Sequence, residues 1–296
     1  MKETVRRRIE LFKKGYSMKE VSEILGDNYK AVEGTARWYR PKGLVVQKYK
    51  VNFANHEYFD IINTEAKAYL LGFFLADGCI EGTKYRNGNI SNRLTIRNSI
   101  DDKTAVELFN KEICPKSKIY TINYQGGVKK RKLQLNLRWT SKHMTNTLIN
   151  KYNFSRRKAY DKKFKFPFET IPKSLIRHFI RGFFDGDGNV DFSITYTKNG
   201  VETTRFQYGF VVTALPFTKQ LSNIICKITP GITGTISKIT GKTTYWFVLR
   251  FNTKRIKSVD KRYEFYKYFY QDANYFLKRK KDKFDNFFEY RGKQVI

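Results

Sequence analysis

The sequence predicts an α+β chain. A short three-helix segment precedes two copies of one helix–strand–strand–helix–strand–strand–helix unit, and two observations carry this. Leu70-Leu71-Gly72-Phe73-Phe74-Leu75-Ala76-Asp77-Gly78 and Ile180-Arg181-Gly182-Phe183-Phe184-Asp185-Gly186-Asp187-Gly188 repeat one pattern 110 residues apart (187 minus 77). Each is apolar, has small residues four apart, and ends in an acidic residue and glycine. A second pair of landmarks is Arg138-Trp139-Thr140-Ser141-Lys142 and Arg250-Phe251-Asn252-Thr253-Lys254. They fall 65 residues after Asp77 (142 minus 77) and 67 after Asp187 (254 minus 187). Two landmarks in register imply a duplication that presents two carboxylates in equivalent places.

Residues 1–50 read as three helices. The first carries Val5, Ile9 and Phe12 and stops at Gly15; the second runs from an N-cap at Ser17 to Gly26. The third starts near Asn28, continues through Ala31, Val32, Ala36 and Tyr39, and is stopped by Pro41. The arrangement resembles a helix-turn-helix of the resolvase or homeodomain-like kind. Its third helix would present Asn28, Tyr29, Lys30, Glu33 and Arg37 to a DNA major groove. The competing expectation is a helical cap that only packs.

Residues 51–63 read as a polar linker. The first repeat, 64–153, has its motif helix ending at Asp77, a strand pair that includes Arg93–Arg97, and a helix over Lys103–Ile113. Strands Lys118–Tyr124 and Lys132–Thr140 and a helix over Ser141–Tyr152 complete it. A basic connector, 154–173, follows. The second repeat, 174–296, has its motif helix ending at Asp187, strands Asn189–Thr197 and Arg205–Thr213, and a helix over Leu215–Ile228. Strands near Gly234–Ile239 and Thr243–Phe251 and a helix from Thr253 onward come next. Asp272–Tyr290 reads as a basic amphipathic helix. Alternation in Leu133-Gln134-Leu135-Asn136-Leu137 and Trp246–Phe251 suits sheets with one polar face.

The chain has 58 Lys+Arg against 27 Asp+Glu, a formal net charge of +31. Such an excess points to a polyanion partner, because neutralised phosphates release condensed counterions. Cys79, Cys114, Cys226, His56, His143 and His178 lie far apart, without metal-ligand spacing, which argues against structural zinc or a disulfide framework. The first motif's apolar run of about nine residues, Ala68 to Ala76, is well short of the ~20 a membrane span needs. The expected setting is a soluble protein of the cytoplasm, bacterial or phage-encoded and nucleoid-associated, with an organelle as the alternative.

Gly72 with Ala76, and Gly182 with Gly186, each place small residues on one helix face, so the two motif helices can approach backbone to backbone. Such packing would bring Asp77 and Asp187 together at helix C-termini, where the dipole disfavours negative charge. A divalent cation, Mg²⁺ or Mn²⁺, relieves both problems and suits phosphodiester hydrolysis.

These segments resemble the two motifs of a LAGLIDADG homing endonuclease in its single-chain form, over about residues 64–270. The resemblance implies two αββαββα repeats forming a saddle-shaped antiparallel sheet on DNA. It implies cleavage of both strands, and a monomer acting on double-stranded DNA with a long, mostly asymmetric site. It places Asp77 and Asp187 at the metal, with the carbonyls of Ala76 and Gly186 as further ligands. Leu75 departs from the motif where Asp185 keeps it. Lys142 and Lys254 are the candidates for charge stabilisation, water positioning or phosphate anchoring, and Asn98 for water positioning. On the strands, Arg97, Arg138 and Arg250 are the candidate DNA contacts. The chain ends, Met1 and Gln294-Val295-Ile296, favour a free-standing or intron-encoded protein over an intein. An intron RNA maturase, or a silent DNA-binding regulator on the same scaffold, are the alternative readings.

Overall fold

The computed structural model describes residues 2–13, 18–39, 41, 54–84, 88, 90–123, 133–230, 232–253 and 259–293. The chain forms two compact units, 1–52 and 53–296. In the first, helices α1 (Glu3–Lys13), α2 (Met18–Leu25) and α3 (Tyr29–Tyr39) bury Ile9, Phe12, Val21, Val32 and Ala36. Gly26 takes the left-handed φ of 62° between α2 and α3, which glycine adopts without steric cost. Arg8 ties the three helices, bonding Asp27 at 2.6 Å, the Thr35 hydroxyl at 3.0 Å and the Ala31 carbonyl at 3.2 Å. The cap expected at Ser17 and the stop at Gly15 lie outside the described residues.

The second unit contains the duplication. The first repeat runs α4 (Glu65–Asp77), β1 (Gly78–Ile80), β2 (Arg93–Ser99), α5 (Lys103–Ile113), β3 (Tyr120–Ile122), β4 (Gln134–Thr140) and α6 (Lys142–Asn150). The second runs α7 (Ile176–Asp187), β5 (Gly188–Tyr196), β6 (Glu202–Val212), α8 (Leu215–Ile228), β7 (Ile232–Thr240), β8 (Tyr245–Thr253) and α9 (Val259–Tyr270). A last helix, α10 (Lys278–Lys293), follows. Each repeat therefore has the order αββαββα. Each sheet is antiparallel with four strands, in the orders β1-β2-β4-β3 and β5-β6-β8-β7. Among the described residues no helix is long and apolar enough to cross a membrane.

The register carries the duplication to single residues. Gly78 lies opposite Ile96, which lies opposite Leu137; Gly188 lies opposite Phe210, which lies opposite Leu249. One pair further along, Arg138 and Arg250 occupy equivalent positions, so the second pair of sequence landmarks is in structural register. The end of that landmark differs. Ser141 caps α6 by accepting from the Met144 N–H at 3.0 Å, whereas Thr253 is still strand, opposite Ile232, and not the start of a helix. Pairing with β7 prolongs β8 past the place where β4 stops.

The motif helices form the centre. Thr64 caps α4, accepting from the Lys67 N–H at 3.3 Å, with Glu65 in the first turn where the dipole favours it. A Cβ on Gly72 would run into the Phe179 carbonyl, and one on Gly182 into the Tyr69 carbonyl. The relation is reciprocal, as a local two-fold axis requires. Around this seam, Phe73, Phe74, Phe109 and Trp139 on one side and Phe179 and Phe184 on the other are buried. Each contributes about 1.5–3 kcal/mol of burial free energy.

Two stretches depart from expectation. Of the stretch read as a linker, residues 54–63 send side chains into the core instead: Ala54, Tyr58, Phe59 and Ile62 are buried, and the Tyr152 hydroxyl bonds the Phe59 carbonyl at 2.7 Å. Their apolar residues lack helical period because the segment is a strap, not a helix. The basic connector is likewise partly internal. Arg156 bonds the carbonyls of Glu81 and Ser91, and Lys162 the Tyr245 carbonyl at 2.7 Å.

Arg181, inside α7, is wholly buried, donating to Tyr275 O and Phe269 O at 2.8 Å and to Glu65 at 2.5 Å. It ties the start of α4 to the turn before α10. Arg181→Met should cost about 3–5 kcal/mol, since Glu65 loses its charge partner and two carbonyls lose their donor. Urea unfolding checks this; a cost under about 1 kcal/mol would make the network dispensable.

Candidate active site

Each motif helix ends where the chain turns straight into a strand. Gly78 and Gly188 donate their N–H groups to the Phe74 and Phe184 carbonyls and then adopt extended backbone. A side chain at either glycine would meet the phenylalanine ring and carbonyl it folds against. The turn leaves Asp77 and Asp187, both half-buried, at one end of the helix pair. A Cβ on Gly186 would stand 3.2 Å from Asp77 Oδ2, so that carboxylate lies against the opposite motif. Burial raises the pKa of Asp77. Burial first, then the Asp77 charge, pushes Asp187 up to about 7.

Two lysines reach this place. Lys158, from the connector, donates Nζ to Leu75 O at 2.8 Å and to Ala76 O. Lys280, the third residue of α10, donates to Phe184 O at 2.5 Å and Gly188 O at 2.7 Å. Burial lowers the pKa of both, Lys280 to about 8, while Asp187 and Asp77 oppose the shift at Lys158, and Asp185 and Asp77 at Lys280. Asn98 Nδ2 donates to Asp77 Oδ2 at 3.1 Å. Asn98 sits at an inward position of β2; the register makes Val212 its equivalent, so only the first half has an amide there. Nearby, Arg279 grips Asp102 at 2.6 and 2.8 Å, pinning α10 to the first repeat.

Lys142 does not join this cluster. It is exposed and follows the far end of β4: Leu135 lies opposite Asn98, while Thr140 lies opposite Arg93, roughly 17 Å along the strand. The strand runs away from the carboxylates, so a residue at its end cannot reach them. Lys254 lies outside the described residues. Arg97, Arg138 and Arg250 share the outward faces of their sheets, opposite Asn136, Thr95 and Gly209. Asn28, just before α3, and Tyr29, Lys30, Glu33 and Arg37 on it are exposed, and Asn28 Oδ1 also accepts from the Lys30 N–H at 2.9 Å.

Lys158 and Lys280 escape a reading by strand alternation. Both follow the last helix of their repeat, by 8 residues (158 minus 150) and 10 (280 minus 270). That similar offset is the signal that could have found them.

The donor set fits a hard divalent cation. Among the described residues no group of three or more His, Cys, Asp or Glu forms a ligand cluster. Two carboxylates with carbonyls beside them instead leave coordination positions for water and phosphate, as Mg²⁺ prefers. The Ala76 carbonyl already accepts from an ammonium, so the position draws positive charge.

No protein-family model and no curated protein matches the chain by sequence. Among solved structures, it is similar to the I-SmaMI LAGLIDADG homing endonuclease bound to cleaved DNA, at 14% identity and a TM-score of 0.47, covering 76% of this chain and 88% of that one. The LAGLIDADG meganuclease I-AabMI bound to uncleaved DNA gives 12% and 0.48, covering 79% and 92%. The I-LtrWI LAGLIDADG homing endonuclease bound to target DNA gives 15% and 0.46, covering 81% and 92%.

Proposed function

We propose that this chain is a divalent-metal-dependent DNA endonuclease of the LAGLIDADG kind, cutting both strands of a long, mostly asymmetric site as a monomer. The observation that carries this is the apposed pair Asp77 and Asp187, one from each repeat, with Lys158 and Lys280 facing them. One chain thus supplies two half-sites, one for each strand.

In this reading Asp77 and Asp187 hold Mg²⁺ or Mn²⁺, with the Ala76 and Gly186 carbonyls as neighbouring donors. The bound cation would activate water and neutralise charge on the phosphate and leaving oxygen. The chain's own groups do the rest. Asn98 orients water at the first carboxylate. Lys158 and Lys280 stabilise the charge that develops on the scissile phosphates. Arg97, Arg138 and Arg250 contact DNA from the sheets, and α3 lays Asn28, Tyr29, Lys30 and Arg37 in a major groove. The net charge of +31 supports a polyanion partner.

The test is incubation with a library of long duplexes in Mg²⁺, followed by sequencing of the cut ends. One recurrent cut site, abolished by chelation, is expected. Lys158→Met and Lys280→Met should each slow cleavage ~10²–10³-fold, while Lys142→Met should change it little. Tight DNA binding with no cut in Mg²⁺ or Mn²⁺ would leave only a DNA-binding protein.

A further inference from the structure

The carbonyls that close the first motif are already engaged. Lys158 Nζ donates to Leu75 O and Ala76 O while its charge faces Asp187 and Asp77. Lys280 is placed differently, on the carbonyls of Phe184 and Gly188 and not that of Gly186. The two lysines also differ in support. Lys280 stands on a helix whose first turn is held by the Arg279–Asp102 pair, whereas Lys158 opens a single 3-10 turn, Lys158–Tyr160. Beside Lys158 lies a cavity of about 470 Å³, lined by Phe154, Arg157, Phe164, Asp187 and Val212 among others. It gives a four-carbon side chain room to swing without unpacking the core.

Paired carboxylates taken from water need a compensating cation, and uncompensated ones are costly. An ammonium and a divalent cation on the same carbonyl repel each other strongly. They cannot share the place.

Building on the metal-nuclease reading, we infer that Lys158 is a built-in counter-ion for the carboxylate pair, displaced from the Ala76 carbonyl when a divalent cation binds. The freed ammonium has room on the cavity side of the site, whose lining includes the carboxylates of Asp161 and Asp187. Lys158 therefore stabilises the metal-free chain and sets the cation concentration needed to load it.

Calorimetric titration of the full chain with Ca²⁺, an oxygen-seeking probe, tests this without any cleavage step. Lys158→Met should bind Ca²⁺ roughly tenfold or more tightly than wild type, as expected for removing a like charge at that range. Lys158→Arg should stay close to wild type. Without metal, Lys158→Met should melt lower, and Ca²⁺ should raise its Tm by more than it raises the wild type's. Equal or weaker Ca²⁺ binding by Lys158→Met overturns the inference.

If that variant does not fold, labelling of the wild-type chain with an amine-reactive ester decides. Lys158 should label faster once Ca²⁺ is added, and unchanged or slower labelling overturns the idea. Ca²⁺ binding that Asp187→Asn removes but Lys158→Met leaves unchanged sinks the counter-ion alone. A wild-type chain that binds no Ca²⁺ removes the metal site and the counter-ion together.

Discussion

Asp77→Asn and Asp187→Asn are each expected to abolish double-strand cleavage, or confine it to a nick, while specific DNA binding survives. Each substitution keeps the shape and removes one metal-ligating charge, and the outward sheet faces that carry Arg97, Arg138 and Arg250 are untouched. The loss should exceed the ~10²–10³-fold typical of removing one charge-stabilising donor, because among the described residues no third His, Cys, Asp or Glu joins the pair in a ligand cluster. Metal-free stability should move the other way. Asp187 is pushed up to about 7, chiefly by burial, so its ionisation opposes folding. For a group with a raised folded pKa, stability is fully present below the unfolded value, near ~4, and is lost as pH rises through the folded value. Asp187→Asn should therefore match or exceed the wild-type Tm at pH 8, by a few degrees at ~2–4 °C per kcal/mol. The gain should shrink below pH 7 and vanish near pH 4. Full double-strand cutting by either variant would sink the two-carboxylate mechanism, and a lower Tm at pH 8 would show that the carboxylate is stabilising.

Gly72→Ala and Gly182→Ala should each cost about 3 kcal/mol or more, the upper end of overpacking, because the new methyl meets backbone and not a movable side chain. The obstructions are the Phe179 and Tyr69 carbonyls, deep in the seam between α4 and α7. Forcing these helices apart also separates the carboxylates, so cleavage should fall together with stability. Gly34→Ala is the internal comparison. Gly34 lies within α3 with open space where a Cβ would go, so the same substitution there should stabilise that unit by roughly 0.5–1 kcal/mol. Denaturation of all three variants checks the contrast. A tolerated Gly72→Ala or Gly182→Ala would mean that the seam is looser than this geometry.

The parts of this molecule legible in the sequence are those governed by local pattern. Small residues four apart announced a close helix pair, and alternation announced sheets with one polar face. The Asp-Gly ends announced a helix turning directly into a strand, which is what leaves Asp77 and Asp187 at a corner. The spacing of the strand-end landmarks is enough to put Arg138 and Arg250 in equivalent places, as the strand register does. Asn98 was within reach of the same reasoning, since it sits at an inward position of β2 near the motif.

The sequence by itself therefore determined the duplication, the αββαββα order, the helix seam and the acidic pair. Only the tertiary structure decided which cations face that pair. Lys142 has the better local context but stands at the wrong end of β4, while Lys158 arrives along a connector without helical or strand period and Lys280 on α10, a helix that lies beyond the duplicated unit. It also decided that Tyr58, Phe59 and Ile62 belong to the core and that Arg181, a surface residue by type, is a buried tie. The physical reason is shared. Periodicity records which face of an element is buried, but a charge's neighbours depend on how distant connectors cross the core, and nothing periodic in a connector encodes that path.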